Sequence, residues 1–125
     1  MGQRDTPALQ AFGAQIEFLQ TIGQYEIEMR SRELATMLVE ELSALDGVHM
    51  WTPHQIERRG AVVTFQPGTL RSQEVLAALE QDGIVAAARG GSDRPGIRFS
   101  PHFYNTEDDI ERAVAAIQRY LRRGL

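Results

Sequence analysis

Apolar residues in the first third of the chain recur at helical spacing. Leu9, Phe12, Ile16 and Leu19 form one stripe, Thr6 and Pro7 supply a cap and a first-turn proline, and Gly23 interrupts the pattern. A second stripe of Ile27, Leu34, Leu38, Leu42 and Leu45 predicts a helix over 25–45, with Glu28, Arg30, Arg32, Glu33, Glu40 and Glu41 on the other faces. Asp46-Gly47 ends it. The run 48–51 then reads as a strand, and 60–65 as its antiparallel partner across a polar loop containing Pro53. Val75, Leu76 and Leu79 predict a helix over 72–81, closed by Asp82-Gly83 in the manner of a glycine C-cap. Residues 84–89 and 96–100 read as two strands joined by the loop 90–95. Asn105 or Thr106 caps the last helix, Glu107, Asp108 and Asp109 offset its positive end, and Ile110, Val114, Ile117 and Leu121 form its buried stripe.

The pattern predicts an α+β fold: a small sheet of three or four mainly antiparallel strands with helices packed on one face, preceded by a long N-terminal helical segment. The division falls at 46, giving a helical segment over 1–46 and a small α+β domain over 47–125. Within the strand at 96–100, Ile97, Phe99 and Pro101 lie on one side and Arg98 and Ser100 on the other. The Arg98 guanidinium therefore leaves the sheet opposite the apolar packing. Its planar fork matches a carboxylate or phosphate at two oxygens. A structural ion pair with Asp93 or another acid is the alternative use of that fork.

Composition narrows the chemistry. The 125 residues are 42% apolar with a net charge of −4, which gives no basic bias toward nucleic acid. No apolar run approaches the roughly 18–20 residues of a membrane span. The residues after Met1 are polar and charged, unlike a secretory signal. Cysteine is absent, so there are no disulfides or thiolate metal sites, and His49, His54 and His102 show no ligand spacing, so no metal site is expected. Gly90-Gly91 reads as a turn rather than a nucleotide loop. All 13 basic side chains are arginine, and there is no lysine.

The run from Gly96 to Thr106, with Arg98, Ser100, His102, Phe103, Tyr104, Asn105 and Thr106 in order before an acidic helix start, resembles the C-terminal signature of the class V aminotransferases. Gly2-Gln3-Arg4-Asp5, followed by a helix with Ile16-Glu17-Phe18-Leu19, is similar to the segment and helix that leave the cofactor domain in that family. The resemblance spans nearly the whole chain. It implies the small C-terminal domain of a pyridoxal-phosphate enzyme related to isopenicillin-N-epimerase-like proteins, cysteine desulfurases and selenocysteine lyases. It further implies an amino-acid substrate, an upstream large domain that binds pyridoxal 5'-phosphate, a homodimer and a cytoplasmic location.

By the same resemblance Arg98 binds the substrate α-carboxylate, Arg89 is a second substrate-binding arginine and Ser100 lines the site. Gln3 and Arg4 match the segment that reaches the cofactor phosphate in the neighbouring subunit, with Gln3 standing where the family has threonine. His102, Tyr104 and Asn105 hold geometry. The family anchors its cofactor as a Schiff base to a lysine, which this chain lacks, so the chain alone is expected to be inactive. The loop after Arg89 also lacks the cysteine found in desulfurase members, which disfavours a desulfurase that uses its own sulfur acceptor. The alternative function is a non-catalytic module that binds a small molecule or a partner.

Overall fold

The structure, a computed structural model, describes residues 5–89 and 93–125. Two consecutive helices, α1 (Thr6–Ile22) and α2 (Gln24–Ser43), lead into strand β1 (Val48–Met50), a single 3-10 turn at Ile56–Arg58 and strand β2 (Val63–Pro67). Helix α3 (Ser72–Gln81), strands β3 (Ala87–Arg89) and β4 (Gly96–Phe99), and helix α4 (Glu107–Arg123) complete the chain. The strands form an antiparallel sheet in the order β1-β2-β4-β3, so β4, which carries Arg98, is paired on both sides. The fold is α+β, as the pattern predicts.

One hydrophobic core joins the sheet to α2, α3 and α4. Val63, Phe65, Ile97 and Phe99 face the helices, meeting Leu38 of α2 and Ile117 of α4 among others, and every one of these side chains is buried. Full burial of a residue such as Phe65 contributes about 1.5–3 kcal/mol. Five core residues, Leu34, Ala35, Leu38, Val39 and Leu42, come from α2. The core therefore runs across the turn between α2 and β1, where residue 46 lies. Helix α1 differs: it contributes no buried residue and leaves Leu9, Phe12, Ile16 and Phe18 exposed.

Local chemistry sets the element ends. Asp5 rather than Thr6 caps α1, because its carboxylate accepts from the Ala8 N–H at 3.1 Å, which leaves Thr6 and Pro7 as the first helical residues. At α3 the Gly83 backbone turns to φ +72°, its N–H reaches the Glu80 carbonyl, and the Ile84 N–H reaches the Leu79 carbonyl at 2.8 Å. That donor is thereby lost to the sheet, and β3 starts at Ala87, later than the sequence predicts. Strand β2 is also shifted. The Trp51 and Thr52 N–H groups both donate to the Thr64 carbonyl, at 3.0 and 3.1 Å, and the Thr64 N–H donates to Thr52 Oγ1 at 2.8 Å. This crossed arrangement ends the ladder with β1, so β1 pairs with 65–67 rather than with residues from 60 onward.

Candidate functional site

Arg98 stands on the sheet face away from the helices. Its Cα partners are Thr64 on β2 and Ala87 on β3, and its chain neighbours Ile97 and Phe99 are buried while Arg98 itself is exposed. A strand anchored on both sides and on its lower face gives the guanidinium a fixed base. Ser100 is exposed on the same side, one residue past the strand.

Arg98 and Ser100 line a cavity of about 630 Å³ together with Ala87, Tyr104, Asp109 and Arg112. That size lies within the range of sites for small molecules, roughly 300–1,000 Å³. Among the described residues no carboxylate pairs with Arg98. Asp109, the acid of the same cavity, is occupied elsewhere: its Oδ2 accepts from the Thr106 N–H at 3.1 Å and from Asn105 Nδ2 at 3.2 Å. Those donors, the Thr106 N–H foremost, hold the Asp109 carboxyl below its ordinary range. Asp93 forms no ion pair among the described residues. Among the described residues, neither Asp93 nor Asp109 therefore occupies the Arg98 fork.

The turn between β4 and α4 is built from its own polar groups. The His102 N–H donates to Asn105 Oδ1 at 3.0 Å and the Asn105 N–H to the His102 carbonyl at 2.9 Å, so Asn105 closes the turn. Thr106 is the cap, its Oγ1 accepting from the Asp109 N–H at 3.2 Å in a reciprocal capping box. The His102 ring stacks on Tyr104 with centroids 5.1 Å apart. At the far end of the same helix start, Glu107 pairs with Arg30 of α2 at 2.8 Å, tying the turn to the core helices.

Arg89 lies at the end of β3 opposite Gly96, and strand alternation puts it on the same sheet face as Ala87 and Arg98. It does not share the Arg98 cavity. Instead it lines a separate recess of about 240 Å³ beside Trp51, Arg58, Arg59 and Arg94. Gln3 and Arg4 lie outside the described residues. Sequence reasoning passed over Arg59, which sits in the polar loop between β1 and β2 but is only 8% exposed. Nothing in a loop pattern distinguishes such a residue from a solvated arginine.

Comparison with known proteins bears on the family and the fold. The aminotransferase class-V profile matches residues 1–113. A probable cysteine desulfurase of Halalkalibacterium halodurans is 30% identical over 116 residues, which are 86% of this chain and 28% of that protein. An isopenicillin N epimerase of Amycolatopsis lactamdurans is 32% identical over 119 residues, 94% of this chain and 30% of that protein. The crystal structure of the cysteine desulfurase CsdA of Escherichia coli superposes with a TM-score of 0.84 at 22% identity, over 97% of this chain and 32% of that one. A NifS-like protein of Rickettsia africae gives a TM-score of 0.81 at 17% identity, over 98% of this chain and 36% of that one. The chain thus spans about a third or less of the length of these relatives. With a profile that covers most of its residues, the chain belongs to the class V aminotransferase family.

Proposed function

We propose that this chain is the C-terminal part of a pyridoxal-phosphate-dependent enzyme acting on an amino acid, and that Arg98 grips the substrate α-carboxylate. The observation that carries the reading is the exposed Arg98 guanidinium, fixed on a doubly paired strand at a cavity whose own acid, Asp109, is held by Thr106 and Asn105. A carboxylate held at two oxygens fixes the orientation of the substrate Cα–H bond, and misorientation at that bond costs rate steeply. Ser100 lines the same cavity and can donate its hydroxyl to a substrate oxygen. Arg89, on the same face but in the neighbouring recess, acts as a second cation toward the substrate.

Pyridoxal phosphate supplies the electron sink for chemistry at the amino-acid Cα in this family. The chain has no lysine and so offers no side-chain amine for attaching that cofactor. Its part is confined to holding substrate, with Gln3 and Arg4 assigned to the cofactor phosphate on the resemblance. The covalent anchor belongs to an upstream large domain, and the short coverage of the relatives supports that view. The exposed apolar face of α1 is the surface for that domain to cover. A cytoplasmic homodimer completes the proposal.

The test compares an amino acid with the amine that lacks its carboxylate, using the full-length enzyme that contains this chain. The intact enzyme is expected to prefer the amino acid strongly, and Arg98→Ala to erase most of that preference by losing activity on the amino acid alone. Equal preference in both forms would show that Arg98 does not hold the carboxylate.

A further inference from the structure

The second recess contains more positive charge than the role of Arg89 toward the substrate accounts for. It lies between the 3-10 turn, β2 and the Arg94–Pro95 segment, and four arginines line it: Arg58, Arg59, Arg89 and Arg94. No carboxylate lines it, and among the described residues none of the four forms an ion pair. Arg59 is the informative member. It is 8% exposed, its Nη2 donates to Thr36 Oγ1 at 2.9 Å, and its Nε and Nη1 are buried without a partner among the described residues. A buried guanidinium with two unused nitrogens and no counter-charge is strongly unfavourable unless an anion compensates it.

The surroundings hold that cation in place. The Arg59 carbonyl accepts from Arg32 Nη1 at 2.7 Å, which anchors the loop backbone to α2, and swinging the side chain out to solvent breaks its bond to Thr36. On the opposite wall Trp51 Nε1 donates to the Pro95 carbonyl at 2.8 Å, and the Arg94 guanidinium lies over the Trp51 ring at 5.9 Å. That contact holds Arg94 toward the recess by cation–π attraction. At about 240 Å³ the space is below the usual size for a drug-sized ligand and suits a single anionic head.

We propose that this recess is a binding site for a small oxyanion, a phosphate or carboxylate group, separate from the Arg98 cavity and countering the buried charge of Arg59. The anion offsets the buried charge of Arg59 and is held by Arg58, Arg94 and Arg89 at the walls. The site depends on the described geometry alone and does not require that the chain act on an amino acid.

The experiment titrates the protein with inorganic phosphate and, in a second arm, with malonate, against sodium chloride at matched ionic strength, reading calorimetric binding and the unfolding midpoint. Phosphate or malonate is expected to bind and to raise the midpoint beyond the chloride control, the stronger arm naming the preferred head group. Arg59→Met is expected to weaken that binding by about tenfold or more, since the buried positive charge that the anion offsets is lost. The same substitution should leave the anion-free protein no less stable than a lost Thr36 hydrogen bond explains, because an unpaired charge is removed with it. If Arg59→Met does not fold, the exposed Arg94→Gln and Arg58→Gln take its place, each expected to weaken binding by about threefold or more. Binding equal to the chloride control in both arms overturns the proposal. So does loss of phosphate binding in Arg98→Gln with retention in the Arg59, Arg58 and Arg94 variants, which would put the anion in the other cavity.

Discussion

Gly96 and Phe65 approach so closely that a Cβ on Gly96 would fall 2.2 Å from the Phe65 carbonyl oxygen. The close approach lies between β4 and β2, two positions before Arg98, where the edge of the Arg89 pairing also falls. Backbone cannot yield there as a flexible side chain would. Gly96→Ala is therefore expected to lower stability by about 1–3 kcal/mol, measured by denaturant unfolding, and to disturb the register of β4. Wild-type stability in Gly96→Ala would contradict the packing.

The start of α4 should weaken in acid. Asp109 and Glu107 both ionise below their ordinary values, Asp109 through the Thr106 N–H and the Asn105 amide, Glu107 through its own N–H and Arg30. In the acid range the unfolded chain thus binds more protons than the folded one. Their contribution is present above the ordinary carboxylate values and is lost as pH falls through the lower folded ones. Asp109→Asn should flatten the acid limb of a stability–pH curve, and Thr106→Ala should cost about 1 kcal/mol at neutral pH.

The alkaline limb has a different origin. Tyr120 donates its hydroxyl to Asp82, and burial, followed by that contact, raises its pKa from 10.0 to about 12. Above pH 10 the unfolded tyrosine loses its proton while the folded one keeps it. The stability from this group is therefore complete below pH 10 and is lost as pH rises toward about 12. Tyr120→Phe should remove this part of the alkaline decline, which unfolding midpoints at pH 9 to 12 would show.

The face of α1 that carries Leu9, Phe12 and Ile16 is apolar and exposed, each of these residues being at least 41% accessible. Without a covering domain it should drive self-association of this chain. Sedimentation is expected to give a dimer that Phe12→Glu returns to monomer. A monomer at high concentration in the unsubstituted chain would contradict this.

Some of this architecture is legible in the sequence because local and long-range signals coincide. The Thr106-x-x-Asp109 capping box precedes an amphipathic stripe, so α4 is readable from both ends. Ile97 and Phe99 alternate with Arg98, so the face that the arginine takes follows from the strand period. The displaced start of β2 is not readable, because it depends on the Thr64 carbonyl accepting two N–H groups from Trp51 and Thr52 across the sheet. Asp5 displaces Thr6 as the cap of α1 for a reason of reach, since either side chain can cap and only the geometry chooses. The separation of Arg89 from Arg98 into two cavities and the burial of Arg59 both arise from tertiary packing around Trp51 and α2, which no spacing along the chain encodes.

The role of Arg98 is tested most directly by kcat/KM for the amino-acid substrate in the full-length, cofactor-loaded enzyme carrying Arg98→Lys. Lysine keeps the charge but loses the two-toothed grip, so the value is expected to fall by about a hundredfold or more while fold and cofactor content stay as in the wild type. A kcat/KM within roughly twofold of wild type would contradict carboxylate binding by Arg98.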